Sequence, residues 1–98
     1  MIIINVYNYR YKIITYEELK ELQKYKDIIL IDVRSRQEFF EGHLKEAINI
    51  PLIDIKKYNF NENQGLVLYC NAGIRSVKAG RILESKGYKN IYILEPIN

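Results

Sequence analysis

The chain has 98 residues, 48% apolar and 28% charged, with a net charge of +3, the make-up of one ordinary globular domain that can bury a core without metal or disulfide staples. Lys and Arg are interleaved with Glu and Asp, which argues against nucleic acid as a partner, and no run nears the roughly 20 apolar residues of a membrane span. One cysteine and one histidine exclude an internal disulfide and a closed structural zinc site.

Met1–Ile4 breaks at Asn5, too short and too polar for a signal-peptide core, and no small-residue cleavage site follows, so a cytoplasmic location is expected. Residues 2–13 alternate loosely and read as a strand, an extension over about 1–12. Thr15 and Glu18 have capping-box spacing and open a helix over Tyr16–Tyr25. Ile28-Ile29-Leu30-Ile31 reads as a parallel strand buried on both faces. Ser35 and Glu38 repeat the capping box for a short helix ended by Gly42. Ala47–Pro51 reads as a strand stopped by proline, Leu52–Tyr58 as one or two helical turns, and 59–65 as a polar loop. Leu66–Tyr69 is a strand that runs straight into Cys70. Ser76–Lys86 reads as a helix capped by Gly87, and Ile91–Leu94 as the last strand. Strands alternating with helices predict an α/β layer structure around a mainly parallel sheet. Such sheets carry their sites at the carboxyl ends of strands, where Cys70 lies.

A lone cysteine is either a small buried hydrophobe or a reactive thiol. In Tyr69-Cys70-Asn71-Ala72-Gly73-Ile74-Arg75-Ser76, a strand delivers the sulfur, a loop with Gly73 follows, and a helix is expected just after Arg75. Loop amides, the helix N-terminus and the Arg75 charge would all favour the thiolate. The alternative is an inert strand-end cysteine before an ordinary turn.

The ordered pieces Leu30-Ile31-Asp32-Val33-Arg34, Glu38-Phe39, Gly42-His43-Leu44, Ala47–Pro51, Leu68–Ser76 and Gly87-Tyr88 resemble a single-domain rhodanese, the sulfurtransferase family, from about Ile14 to Leu94. The resemblance implies a three-layer α/β/α domain with a five-stranded mainly parallel sheet. It implies Cys70 as the sulfur-accepting nucleophile and Asn71, Ala72, Gly73, Ile74, Arg75 and Ser76 as the substrate-binding loop. The implied reaction moves a sulfane sulfur from thiosulfate, a persulfide or polysulfide through a Cys70 persulfide to a thiol, a protein thiol or cyanide, without metal or organic cofactor. A monomer or weak homodimer is expected.

Two alternatives stand beside it. Cysteine phosphatases and arsenate reductases resemble rhodaneses in fold, but carry a His-Cys pair and five residues between Cys and Arg. Here Tyr69 precedes Cys70 and four residues separate it from Arg75, a shorter ring with less room for a phosphoryl group. The other is a non-catalytic binding module, although such relatives commonly lack the cysteine. Asp32 and Arg34 are expected to act from behind the loop, with the carboxylate fixing Arg34 or loop amides. His43, the obvious candidate base, is expected to be a packed, hydrogen-bonded residue instead. Lys78 could assist an anion or simply be solvated.

The sequence also departs from the family. Leu94-Glu95-Pro96-Ile97-Asn98 stands where relatives carry a Gly-Gly segment and a tryptophan-bearing helix, and Lys45-Glu46 replaces a frequent Pro-Gly. Apolar surface is therefore expected to be uncovered, and Ile2–Tyr11 either to cover it or to pair with a second chain.

Overall fold

The computed structural model describes residues 2–6 and 9–96, with side chains from Lys12 to Pro96. In chain order its elements are β1 (Ile2–Val6), β2 (Tyr9–Ile14), α1 (Tyr16–Tyr25), β3 (Ile28–Asp32), α2 (Arg36–Glu41), β4 (Ile48–Asn49), a 3-10 turn over Leu52–Lys57, β5 (Gly65–Tyr69), α3 (Ile74–Ser85) and β6 (Ile91–Leu94). The sheet order is β1-β2-β6-β5-β3-β4. β2, β6, β5, β3 and β4 are parallel, and β1 adds an antiparallel edge.

The expected five-stranded parallel sheet is thus present, with a sixth strand beside it. The segment 2–13 reads as one strand, yet it forms both β1 and β2. Alternation of period two cannot tell a single strand from two paired arms. β2 is itself one of the five parallel strands, so part of the supposed extension belongs to the core sheet. Whether 2–11 also covers apolar surface depends on side chains outside the described residues.

Each continuous apolar run is divided between the two faces by the pleat. Leu66, Leu68, Ile91, Ile93, Ile31 and Val33 face α3 and the 3-10 turn, meeting Ala79, Leu83 and Ile55. Val67, Tyr69, Tyr92, Leu94 and Leu30 face the other layer, meeting Leu19 of α1 and Phe39 of α2. Both capping boxes form. Thr15 Oγ1 accepts from Glu18 N at 3.1 Å while Glu18 Oε1 accepts from Thr15 N at 3.0 Å, and Ser35 and Glu38 repeat the exchange.

Two boundaries differ from expectation. The strand over 47–51 narrows to Ile48–Asn49, because it is an edge strand whose pairing ends where Pro51 lacks an N–H. Helix α3 starts at Ile74 rather than Ser76, because Gly73 takes a left-handed conformation (φ 90°) and serves as the N-cap. Glu46 also sits at positive φ (70°), at a cost of about 1 kcal/mol relative to glycine. By the resemblance of the sequence, this is the position where the glycine of a Pro-Gly is expected.

Candidate active site

β5 is a central strand between β6 and β3, and its neighbour β3 ends at Asp32, in register with Tyr69. The helices after β3 and β5 pack on opposite faces of the sheet. This arrangement opens a crevice at the carboxyl ends of the strands, and Cys70 is the first residue beyond β5.

Cys70 is 8% exposed, so its sulfur is held by protein but can be reached. Gly73 N–H donates to Sγ at 3.2 Å and Ser76 N–H at 3.3 Å. The Ser76 hydroxyl lies 3.5 Å from Sγ and also donates to Gly73 O at 3.0 Å. Gly73 has no side chain to cap α3, so sulfur takes the place of a capping oxygen and satisfies amides that a helix start leaves open. Burial pushes the Cys70 thiol up. The Ser76 hydroxyl and the amides of Ser76, Gly73 and Arg75 push it down further, so the net shift is below the ordinary value.

The early start of α3 puts Arg75 in its first turn. The guanidinium turns to Glu38, with Nη1 2.6 Å from Oε1 and Nη2 3.0 Å from Oε2. Its first partner is thus a carboxylate, but its charge also acts on Cys70, which the Arg75 amide favours as thiolate as well. Glu38 also accepts from Asn71 Nδ2 at 3.1 Å and from Ser35. Arg75, followed by the Ser35 amide, holds the Glu38 carboxyl at about 2, well below its ordinary 4.5.

Above the sulfur is a cavity of about 440 Å³ lined by Arg34, His43, Leu44, Tyr69, Asn71 and Glu95 along with Cys70, within the size range of small-molecule sites. Asp32, fully buried, accepts from Arg34 Nε at 3.0 Å and Nη2 at 2.8 Å. Arg34 also reaches Gly42 O and Asn71 Oδ1, and the Asp32 pairing holds its pKa up. Asp32 thus holds Arg34, and Arg34 in turn touches the loop at Asn71. The Tyr69 hydroxyl accepts from Leu44 N–H at 3.0 Å, and burial, with Asp32 adding to it, pushes it up to about 12.

The Rhodanese-like domain family model matches residues 15–96. The chain belongs to the rhodanese family. The thiosulfate sulfurtransferase GlpE of Coxiella burnetii is 30% identical over 86 residues, covering 86% of this chain and 80% of that protein. The human single-domain sulfurtransferase TSTD1 superposes with a TM-score of 0.77 at 25% identity, covering 87% of this chain and 89% of its own. The tRNA uridine(34) hydroxylase of Hamiltonella defensa is 34% identical over 88 residues, 80% of this chain. The chain spans only about a quarter of the length of the hydroxylases it matches, 27% and 24%.

Within this rhodanese loop the expected residues fall into three groups. Asn71 joins Arg34, His43 and Cys70 around the cavity. Ala72, Gly73 and Ile74 line a neighbouring apolar groove with Ile13, Val77, Lys78 and Ile93. Arg75 and Ser76 lie beneath the loop, on Glu38 and on the sulfur. Glu95 borders both hollows. Glu38, Tyr69 and Glu95 are the site residues that sequence reasoning did not single out. For Glu38 a signal existed, since a capping-box glutamate is held at a helix start and can reach past it.

Ser76 offers a direct test of the rhodanese cradle. Ser76→Ala is expected to move the Cys70 ionisation upward, since it removes the hydroxyl that helps to hold the thiol down. The rate of Cys70 alkylation by iodoacetamide against pH would show the shift.

Proposed function

We propose that this rhodanese is a sulfurtransferase that moves a sulfane sulfur through a Cys70 persulfide. The observation that carries the reading is the pair of backbone amides, Gly73 N–H at 3.2 Å and Ser76 N–H at 3.3 Å, that donate to Cys70 Sγ at the foot of an open cavity. Donors keep part of the sulfur population as thiolate, the attacking form. In the first half-reaction the thiolate attacks the outer sulfur of an anionic sulfane donor. With thiosulfate, the class in the name of the GlpE relative, the S–S bond breaks and sulfite leaves with its electron pair. In the second, an acceptor thiolate or cyanide takes the outer sulfur, and Cys70 leaves as thiolate. No electrons are needed from outside.

The shape of the loop supports sulfur over phosphate. Its amides close on Sγ itself, and the loop arginine is held by Glu38 rather than left to grip a phosphoryl group. The hydroxylase relatives share only this segment, so their reaction is not carried over. A binding-only role would leave the polarised thiol without use.

Incubation with thiosulfate or with a small organic persulfide, followed by intact-mass measurement, tests the proposal. A gain of about 32 Da, one sulfur atom, is expected on Cys70, with sulfite released in the thiosulfate arm. Phosphate release from an aryl phosphate, with no mass gain from either donor, would reverse the assignment.

A further inference from the structure

His43, expected from the sequence to be a packed, hydrogen-bonded residue, has a second property. It is exposed, and it lines the same cavity as Cys70. Its Nδ1 lies 2.9 Å from the backbone carbonyl of Phe39. A carbonyl only accepts, so Nδ1 must carry the hydrogen. In the neutral ring the lone pair is then on Nε2, which has no hydrogen-bond partner among the described residues. The ring is also stacked on Phe39, centroids 3.7 Å apart and planes 12° from parallel.

These contacts give a proton acceptor held in orientation. The Phe39 carbonyl fixes the tautomer and aims the ring, as the orienting partner does in a nucleophile–base pair. When Nε2 takes a proton, the Nδ1–H bond to the carbonyl becomes charge-assisted and stronger. Cys70, already polarised by amides and Ser76, does not need this base. An incoming alkyl thiol does, because it is mostly protonated at neutral pH and only the thiolate attacks.

Resting on the sulfurtransferase reading, we infer that His43 Nε2 is the base that deprotonates a neutral alkyl-thiol acceptor in the second half-reaction, which makes small aliphatic thiols the acceptor class of this cavity. The acceptor S–H bond breaks and its proton goes to Nε2. The resulting thiolate forms a bond to the outer sulfur of the Cys70 persulfide, the Sγ–S bond breaks, and the electron pair stays on Sγ. The proton then leaves with the persulfide product or to water. Arg34 and Glu95 are the other charged side chains lining the cavity. Arg34 is committed to Asp32, Gly42 and Asn71, so it is not free to act as the base. Glu95 lines this cavity and also borders the groove beside α3.

The test uses the full chain loaded with sulfur by a donor, with loading confirmed by mass. Discharge is then timed with two acceptors, mercaptoethanol, mostly protonated at neutral pH, and thionitrobenzoate, an aryl thiol already ionised there. In His43→Gln and His43→Phe the ratio of mercaptoethanol to thionitrobenzoate rates is expected to fall about 10²-fold, the ordinary contribution of a general base. It should recover as pH is raised and mercaptoethanol ionises by itself. The second variant keeps the stacking on Phe39 without a lone pair, so it separates packing from proton transfer. An unchanged ratio in a loaded variant overturns the inference. So does a failure of both variants to load while wild type loads, since His43 would then serve the architecture of the cradle. If wild type itself takes up no sulfur, the sulfurtransferase reading fails, and this inference fails with it.

Discussion

Cys70→Ser is expected to take up no sulfur from any donor and to lose at least about 10⁴-fold in sulfur transfer, the scale seen when a nucleophile is removed. Serine fits the site. Its oxygen can accept from the Gly73 and Ser76 amides that now reach sulfur at 3.2 and 3.3 Å, so the start of α3 keeps its cap. Its hydroxyl, however, is not ionised by such a cradle, and an oxygen cannot carry sulfane sulfur as a persulfide. The melting temperature should therefore stay within a few degrees of wild type while the mass gain disappears. Paired melting curves and intact-mass spectra after donor treatment check both halves. A serine variant that still turned over would place the chemistry on another residue.

The second large effect is expected at Glu38. Its carboxylate ties Ser35, Asn71 and Arg75 together, and so joins the start of α2 to both ends of the active-site loop. Glu38→Gln sets an amide N–H against a guanidinium and removes the charge. Sulfur transfer should fall about 10²-fold, the usual effect of a misplacement near 1 Å. Melting should drop by about 4–8 °C at neutral pH, on the order of 1 kcal/mol for a domain of this size. The sign of the pH dependence follows from the depressed pKa. The folded state holds Glu38 at about 2 against an ordinary 4.5, so the unfolded chain binds the proton first as pH falls. The contribution is fully present above pH 4.5 and is lost as pH falls through about 2. Thermal scans should thus show wild type and variant converging across that window. A gap in melting temperature that stayed constant from pH 7 to pH 2 would mean that the pair does not carry the stability.

Much of this fold is legible because local signals and global packing agree. Thr15 with Glu18 and Ser35 with Glu38 place two helix starts correctly, because a capping box acts within four residues and needs no tertiary partner. The runs at 28, 66 and 91 are long, apolar and β-rich, which suits strands covered on both faces. What the sequence hides depends on distant partners. The division of 2–13 into β1 and β2 shows only in their antiparallel pairing and in the parallel pairing of β2 with β6, not in any pattern inside the segment. Where α3 begins is decided by the left-handed turn at Gly73, two residues before the hydrophobic stripe becomes regular. For the site, Cys70 and its amide cradle follow from strand, glycine and helix order. The aim of Arg75 does not, since Glu38 lies 37 residues away in sequence. Nor does the placement of His43, which depends on a ring and a carbonyl four residues earlier.

The hydrogen bonds on Cys70 have one further consequence. They terminate on Sγ itself, the atom next to the chain, rather than on a site beyond it. In the proposed cycle this atom attacks first and departs last. Once the outer sulfur is attached, the negative charge moves one atom outward and the amides lose part of what they hold. They regain it when Sγ departs as thiolate, and a thiol of lower pKa leaves faster. The cradle therefore favours the empty carrier over the loaded one. An architecture of this kind is suited to handing sulfur on rather than to storing it.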